Sequence, residues 1–261
     1  MLRQRILTAI VALALLAIVL FVIPPRFLPL IIGALMIGAA WEWGGLLGMT
    51  RQGKAGYAAA IAILMAICWL FGRAEVAELF SLAIAWWILA FVGLFFYPLK
   101  FSRVAGMCVG GLVIVPAFVA IAYLFAADVA LLIGCFLIVW LTDLGGYFAG
   151  KAFGRVKLAP SISPGKTWEG VLGGMILVVG LALAAASYTG YSAAIVLPFF
   201  LGTASISIVG DLTVSVFKRI AGVKDSGTLF PGHGGVLDRI DSIMAATPFF
   251  ALGISWAGIA G

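Results

Sequence analysis

Long blocks of apolar residues, separated by short polar segments, make up most of the chain. A block of roughly 18 or more apolar residues is long enough to cross ~30 Å of hydrocarbon as an α-helix. The pattern therefore predicts an all-α, polytopic integral membrane protein with about nine transmembrane helices. The predicted spans are 6–23, 27–48, 55–72, 79–98, 104–126, 129–149, 170–188, 192–217 and 242–260.

The first block follows the basic sequence MLRQR, as a signal peptide would, but it ends in Ile-Pro-Pro-Arg without a small-residue cleavage signal. We therefore expect it to be retained as the first span. All but two of the 16 lysines and arginines lie on one side of the predicted membrane if the N-terminus is inside, the exceptions being Arg26 and Arg73. The positive-inside rule then predicts a cytoplasmic N-terminus and cytoplasmic loops at 150–169 and 218–241.

Composition agrees with a membrane protein, because 64% of the residues are hydrophobic and only 10% are charged, against about 25% charged in a typical soluble domain. The net charge of +6 does not indicate a nucleic-acid partner, since the charges lie between apolar blocks. There they would orient helices and meet anionic lipid or a phosphorylated substrate. The three cysteines lie inside apolar blocks with no disulfide or metal-ligand spacing, and we interpret them as packing residues.

Near the junction of the eighth and ninth predicted spans, three of the chain's ten acidic side chains are candidate metal ligands. Asp211 is inside an apolar block, where a carboxylate is costly and needs a partner, and Asp238 and Asp241 share one helix face. Because Mg²⁺ prefers carboxylate oxygens, substrate phosphates and water, we predict one magnesium site formed by all three. The alternatives are a hydrogen-bonded helix seam around Asp211 and ion pairs of the other two with Arg239 and Lys224.

The segment between these acids, residues 222–235, reads GVKDSGTLFPGHGG. Its five glycines and one proline exclude a regular helix and leave backbone N–H groups free to approach phosphates, which Lys218, Arg219 and Lys224 would neutralise. The segment does not match the Walker pattern. His233 has no companion His or Cys that would indicate zinc, and it is either a turn residue or a functional one.

The other long polar segment reads WLTDLGGYFAGKAFGRVKLAPSISPGKTWEG from Trp140 to Gly170. Ser163 followed by proline is a favourable start for a helix, so we predict that a helix begins there. Lys166 and Thr167 would then lie in its first turn, where helix N-termini attract anions. Asp143 lies near the end of the sixth span. Acids for Mg²⁺ together with bases for phosphate indicate phosphoryl or nucleotidyl transfer at the membrane surface.

The stretch SVFKRIAGVKDSGTLFPGHGGVLDRID, residues 215–241, resembles the signature of the phosphatidate cytidylyltransferase family, also called CDP-diacylglycerol synthases. The upstream LTDLGGYFAGKAFGRVKLAPSISPGKTWEG resembles a second block of the same family. Both lie in residues 129–261, which we predict to be the catalytic region, whereas residues 1–128 supply N-terminal transmembrane helices. The resemblance implies transfer of CMP from CTP to phosphatidic acid, with Mg²⁺ as cofactor and a second cation as an open alternative.

The resemblance also implies a homodimer in the inner cell membrane, with the active site facing the cytoplasm, and it assigns roles to individual residues. The residues assigned to catalysis are Asp211, Lys218, Arg219, Asp238 and Asp241. The residues assigned to metal binding are Asp211, Asp238 and Asp241. The residues assigned to substrate binding are Asp143, Ser163, Lys166, Thr167, Lys224, Asp225, His233 and Arg239.

Two other functions fit parts of the sequence. A CTP-dependent lipid or polyprenol kinase would use the same nucleotide site but attack the γ-phosphorus, releasing CDP rather than pyrophosphate. An ion-coupled transporter could use Glu42, Asp143 and Asp211 as an ion path. The glycine-rich segment favours an enzyme, because transport sites usually lie near the bilayer midplane between broken helices.

Overall fold

A computed structural model describes residues 11, 14–71, 76–229 and 234–257, and most of them are helical. Residues 14–21 are helical and precede a short 3-10 helix, Pro25–Phe27. The long helices that follow are α1 (Leu28–Leu46), α2 (Arg51–Phe71), α3 (Val76–Leu94), α4 (Arg103–Ala127), α5 (Val129–Phe153), α6 (Trp168–Thr189), α7 (Ala193–Ile220) and α8 (Leu237–Trp256).

The predicted all-α, polytopic membrane class is confirmed. By length and composition, seven helices in the described part of the chain could cross a membrane, with spans at Pro25–Leu46, Arg51–Leu70, Val76–Leu94, Arg103–Ala127, Val129–Phe153, Trp168–Thr189 and Ala193–Ile220. Helix α8 is not among them, and it carries three charged residues near its start. The first predicted span, 6–23, lies partly outside the described residues. The cytoplasmic placement of the N-terminus stays a prediction.

Several helices extend a few residues beyond the predicted spans, and these extensions matter for the site. Helix α7 continues to Ile220 instead of ending at 217, and α8 begins at Leu237 instead of 242. The polar residues at both ends of the glycine-rich segment are therefore helical. We define the glycine-rich loop as the described residues between α7 and α8, 221–229 and 234–236.

The predicted helix start at Ser163 is wrong. Residues Ser163–Thr167 form a strand, β2, which pairs antiparallel with β1 at Lys157–Ala159. Helix α6 begins only at Trp168, and its N-cap is Thr167, whose Oγ1 accepts a hydrogen bond from Gly170 N at 3.1 Å. Backbone pairing within this hairpin, together with a better cap four residues later, outweighs the local Ser-Pro signal. We call residues 154–167 the hairpin loop.

Helix α8 occupies a central position, because it contacts α1, α3, α4, α5 and α7. Most of its length is buried, from Met244 through Ile254, so its small and apolar residues fill the middle of the helix bundle. The N-terminal turn of α8, with Asp238 and Asp241, is held where these neighbours converge. The central helix therefore carries two acids of the predicted site.

Glycines allow close approach of the helices that carry the remaining site residues. A side chain at Gly145 on α5 would lie 2.6 Å from the backbone oxygen of Gly173 on α6, so only glycine fits. Gly174 approaches Thr142 in the same way, with its added Cβ 2.6 Å from the Thr142 oxygen. Small residues at such interfaces let membrane helices pack backbone to backbone. The contact fixes the hairpin loop, which joins α5 to α6.

Candidate active site

The hairpin loop supplies the partner of Asp211 on α7. Strand β2 places Lys166 so that its Nζ lies 2.6 Å from Asp211 Oδ2, with about a quarter of each side chain exposed. The hydroxyl of Ser215, one turn further along α7, donates to Asp211 Oδ1 at 3.2 Å. The sequence indicated that Asp211 needs a partner. The structure identifies it as Lys166, from a segment far away in the chain.

A second acid–lysine pair joins α7 to α8. Lys218 Nζ lies 2.8 Å from Asp238 Oδ1, and both side chains are largely buried. The other carboxylate oxygen, Asp238 Oδ2, accepts hydrogen bonds from the backbone N–H groups of Ser226 at 2.8 Å and Gly235 at 2.9 Å. Gly234 has φ +80°, and a Cβ there would overlap Asp238 Oδ2. Asp238 thus holds two parts of the glycine-rich loop, at Ser226 and Gly235, against the start of α8.

Arg219 ties the two loops to each other. Its Nε donates to the Ile162 carbonyl of the hairpin loop at 3.0 Å, and one terminal nitrogen donates to the Val223 carbonyl of the glycine-rich loop at 3.3 Å. The predicted catalytic role of Arg219 stays a prediction, since these two contacts use only part of its guanidinium. The contacts support a role in holding the loops together.

Asp241 approaches Asp211 where α7 and α8 are in closest contact. A Cβ at Gly210 would lie 2.7 Å from both the Asp241 backbone oxygen and the Ala245 Cβ, so the two helices touch at this point. Asp241 repels Asp211 and is attracted by Lys218 and Lys166. Its carboxylate accepts a hydrogen bond from Ser242 N at 2.8 Å, and no basic side chain among the described residues forms an ion pair with it.

The other predicted residues differ in whether they lie near the Asp211–Lys166 pair. Asp143 on α5 is near Lys166, Asp211 and Arg239, so it belongs to the same charged cluster. Lys224 and Asp225 are exposed on the glycine-rich loop.

Two residues of β2 have local roles. Ser163 pairs with Ala159 in the hairpin, and buried Thr167 caps α6. His233 lies outside the described residues, so its predicted role stays a prediction.

The predicted three-acid magnesium site is assembled only in part. Within the described residues, no three Asp, Glu, His or Cys side chains are grouped so as to hold a metal ion by themselves. Asp238 is bonded to Lys218, Ser226 and Gly235. Asp211 is paired with Lys166, and Asp241, which lies near it, has no ion-pair partner among the described residues. Mg²⁺ needs only one or two carboxylates when phosphates and water complete its coordination, so Asp211 and Asp241 fit such an ion.

Sequence reasoning missed one contact to the glycine-rich loop. Glu42 on α1 accepts hydrogen bonds from Ser226, Val236 and Leu237, although it belongs to the N-terminal half of the chain. The sequence does mark Glu42 as unusual, because it is an acid inside an apolar block. From the sequence alone, Glu42 is interpreted only as part of the ion path of a transporter. The structure shows a carboxylate that accepts three hydrogen bonds at that position.

Comparisons with known proteins identify the family of the chain. Residues 3–256 match the model of the cytidylyltransferase family. The chain is 44% identical over 267 residues to a phosphatidate cytidylyltransferase of Pseudomonas aeruginosa, covering 98% of both chains. It is 37% identical over 286 residues to one of Haemophilus influenzae, covering 96% of this chain and 98% of the relative.

A further relative, the phosphatidate cytidylyltransferase of Brucella suis, is 47% identical over 118 residues, which is 45% of this chain and 44% of the relative. The family expected from the signature residues 215–241 is therefore confirmed. This chain belongs to the cytidylyltransferase family.

Proposed function

We propose that this protein transfers CMP from CTP to phosphatidic acid, forming CDP-diacylglycerol and pyrophosphate as a step of phospholipid biosynthesis. Its family makes it a nucleotidyltransferase, and relatives named for this activity match it over nearly their whole length. These relatives do not support the kinase or the transporter. The multi-pass helical bundle suits a substrate that resides in a membrane.

The observation that carries the proposal is the meeting of acids and lysines from three segments at one end of α7. Lys166 comes from the hairpin loop, Asp211 and Lys218 from α7, and Asp238 and Asp241 from α8. Both substrates bring phosphate groups, and their mutual repulsion is the main obstacle to bringing them together. Catalysis of such transfers consists mainly of positioning and charge neutralisation, which this set of residues can supply.

In the proposed reaction, an oxygen of the phosphatidic acid phosphate forms a bond with the α-phosphorus of CTP. The bond from that phosphorus to the bridging oxygen breaks, and pyrophosphate leaves with the electron pair. Phosphatidic acid is already an anionic nucleophile, so the reaction needs no covalent enzyme intermediate and no general base. Lys166 and Lys218, which both attract Asp211, neutralise phosphate charge, and exposed Lys224 extends the basic surface along the glycine-rich loop.

Asp211 and Asp241 are the residues that would hold Mg²⁺, while Asp238 keeps the glycine-rich loop folded around Lys218. When bound, the ion would reduce repulsion between the two anionic substrates and stabilise the leaving pyrophosphate. Lys166 restrains Asp211 from the hairpin loop, so both loops must be in place before the two carboxylates have a fixed orientation.

The proposal extends to the setting of the reaction. We place the site on the cytoplasmic side of an inner cell membrane, where CTP is available, in a homodimer with no nucleic-acid partner. The charge distribution along the sequence supports the orientation. The homodimer rests on the family resemblance alone.

Product identification tests this function. The purified protein in detergent, mixed with CTP, Mg²⁺ and phosphatidic acid, should release pyrophosphate and form CDP-diacylglycerol in equal amounts. Release of CDP with a newly phosphorylated lipid would establish the kinase instead, and no nucleotide turnover at all would contradict both enzymes. Asp241→Asn is the matched negative control, because it keeps the size of the side chain and removes its charge.

A further inference from the structure

Glu42 is a buried carboxylate in the part of the chain that the proposed chemistry does not otherwise use. Its side chain lies on α1 and is only 9% exposed. Among the described residues no lysine or arginine forms an ion pair with it. A buried carboxylate is costly unless hydrogen bonds compensate for the lost water. Its contacts therefore indicate what this residue does.

Among the described residues, every hydrogen bond to the Glu42 carboxylate comes from the glycine-rich loop or the start of α8. Glu42 Oε1 accepts from the Val236 N–H at 3.0 Å. Glu42 Oε2 accepts from the Leu237 N–H at 2.9 Å and from the Ser226 hydroxyl at 2.7 Å. A residue of α1 is thus bonded to both ends of a loop that lies nearly two hundred residues later in the chain.

These contacts replace the missing cap of α8. Its N-cap residue, Val236, has no side chain that could accept a hydrogen bond, and the first N–H groups of a helix have no partner within the helix. The Glu42 carboxylate satisfies two of them. Its negative charge also lies at the positive end of the helix dipole, which is favourable.

The loop is shaped to admit this carboxylate. A Cβ at Gly227 would lie against Glu42 Oε1, and one at Gly235 would overlap both carboxylate oxygens. Any larger residue would push the loop away from α1. The close packing at these two glycines is evidence, separate from the hydrogen bonds, that the loop is held against Glu42.

Ser226 connects Glu42 to the reaction centre. Its backbone N–H and its hydroxyl lie 2.8 and 3.0 Å from Asp238 Oδ2, and the same hydroxyl lies 2.7 Å from Glu42 Oε2. One hydroxyl proton serves one acceptor at a time, and Glu42 is the nearer. Asp238 in turn holds Lys218 at 2.8 Å. A continuous set of contacts therefore runs from α1 to a lysine of the site.

We infer that Glu42 is a positioning residue for the reaction, which fixes the glycine-rich loop on the end of α8 and thereby sets the geometry of Asp238 and Lys218. The inference rests on the proposed function, because its kinetic consequence concerns CTP and phosphatidic acid. Helix α1 would then contribute to the reaction through Glu42, a role that could not be inferred from the hydrophobicity of that helix.

The first test is Glu42→Gln, which keeps the size of the side chain but turns an NH₂ group toward donors that need an acceptor. We expect amide hydrogen exchange in the peptide covering 226–237 to become about 10-fold faster, as the loss of one charge-assisted hydrogen bond implies. The KM for CTP should rise by a similar factor of about 10 while the KM for phosphatidic acid is unchanged. Glu78→Gln, the same change at an exposed site on α3, is the control and should alter neither.

A merely structural defect would behave differently, because a smaller folded fraction lowers the apparent kcat for both substrates and leaves both KM values unchanged. That result, or unchanged exchange at 226–237, would overturn the inference. A rise in the KM for phosphatidic acid instead of CTP would support the role of Glu42 and assign the loop to the lipid.

A second variant covers the case in which Glu42→Gln does not fold. Gly227→Ala leaves Glu42 in place and adds one methyl group against its carboxylate, so it should give the same exchange and KM changes. Gly56→Ala on α2 adds a methyl group where no atom lies within 4 Å, and it should behave like the unchanged protein. The exchange measurement needs no substrate. If the unchanged protein forms no CDP-diacylglycerol, the proposed function fails while exchange still tests the anchoring by Glu42.

Discussion

At the scale of single residues, the two acid–lysine pairs differ in what surrounds them. Lys166 and Asp211 are each about a quarter exposed, so water and phosphate can reach them, whereas Lys218 and Asp238 are largely buried. A partly exposed pair can exchange partners when an anionic substrate arrives. A buried pair that is broken leaves an uncompensated charge, which is strongly destabilising. We therefore expect the first pair to control activity and the second to control both activity and stability.

Lys218→Met should lower the apparent melting temperature in detergent, because it leaves Asp238 buried without its cation, a loss of about 3–5 kcal/mol in comparable cases. The double variant Lys218→Met with Asp238→Asn removes both charges but keeps a side-chain oxygen that can accept the Ser226 and Gly235 N–H groups. It should recover most of that stability without recovering activity. Thermal unfolding and product formation measured on the same samples check this. A double variant no more stable than the single one would show that the pair is not the source of the effect.

Lys224 and Lys157 should serve different substrates, since Lys224 is exposed on the glycine-rich loop and Lys157 is exposed on the hairpin loop. We expect Lys224→Ala to raise the KM for CTP by about 10- to 100-fold, the effect of losing one charged contact to phosphate. Lys157→Ala should mainly raise the KM for phosphatidic acid in mixed micelles. Steady-state kinetics with each substrate varied in turn provides the measurement. Equal losses for both substrates in both variants would contradict the division.

At the scale of helices and strands, close contacts between helices decide whether the acids meet. Asp211 and Asp241 are brought together because Gly210 lets α7 lie directly against the backbone of α8. The hairpin then adds Lys166 from the other side. Neither contact follows from hydrophobicity alone, because helix–helix association in a membrane depends on small residues and on hydrogen bonds.

Gly210→Ala should separate α7 from α8 by the room that one methyl group needs. Its Cβ would meet the Asp241 backbone oxygen and the Ala245 Cβ at 2.7 Å, and neither atom can turn aside. We expect activity to fall about 100-fold, as a displacement near 1 Å does in positioned catalysis, with the protein still folded. Gly180→Ala on α6, where a Cβ meets nothing within 4 Å, is the matched control. Full activity of Gly210→Ala would mean that the spacing of the acids is not critical.

At the scale of the whole molecule, the glycine-rich loop and the turn between α6 and α7 lie at opposite ends of α7. The positive charges of the sequence predict that the loop is cytoplasmic and the turn is not. A thiol placed at each end would report on the two sides separately.

Val223→Cys and Tyr191→Cys, each in a chain without Cys68, Cys108 and Cys135, test this orientation. Both positions are exposed. An impermeant thiol reagent should label Tyr191→Cys in intact cells and reach Val223→Cys only after lysis. The reverse pattern would place the active site outside the cytoplasm, and labelling of both in intact cells would contradict the predicted spans.

Seven of the nine predicted spans match helices of the described residues that could cross a membrane, and the ninth, 242–260, falls on α8, which is not among them. The seven are predictable because polar backbone is costly to expose to lipid, so long apolar blocks form helices. The sequence also predicts which residue types form the site, since acids are rare in this chain. It does not predict that Lys166 pairs with Asp211 or that Lys218 pairs with Asp238, because those pairs depend on how α7, α8 and the hairpin meet in space. The hairpin itself was missed, because its local signal resembled a helix start. The role of Glu42 depends on contacts with residues far away in the sequence.

The central position of α8 has a consequence for how the enzyme becomes active during its synthesis. Helix α8 follows all five helices that it contacts in chain order, and protein chains are made from the N-terminus onward. Until α8 emerges from the ribosome and inserts, Glu42 has no helix end to cap and Lys218 has no carboxylate to meet. We therefore expect a chain that lacks α8 to be inactive toward CTP until this central helix has joined the bundle.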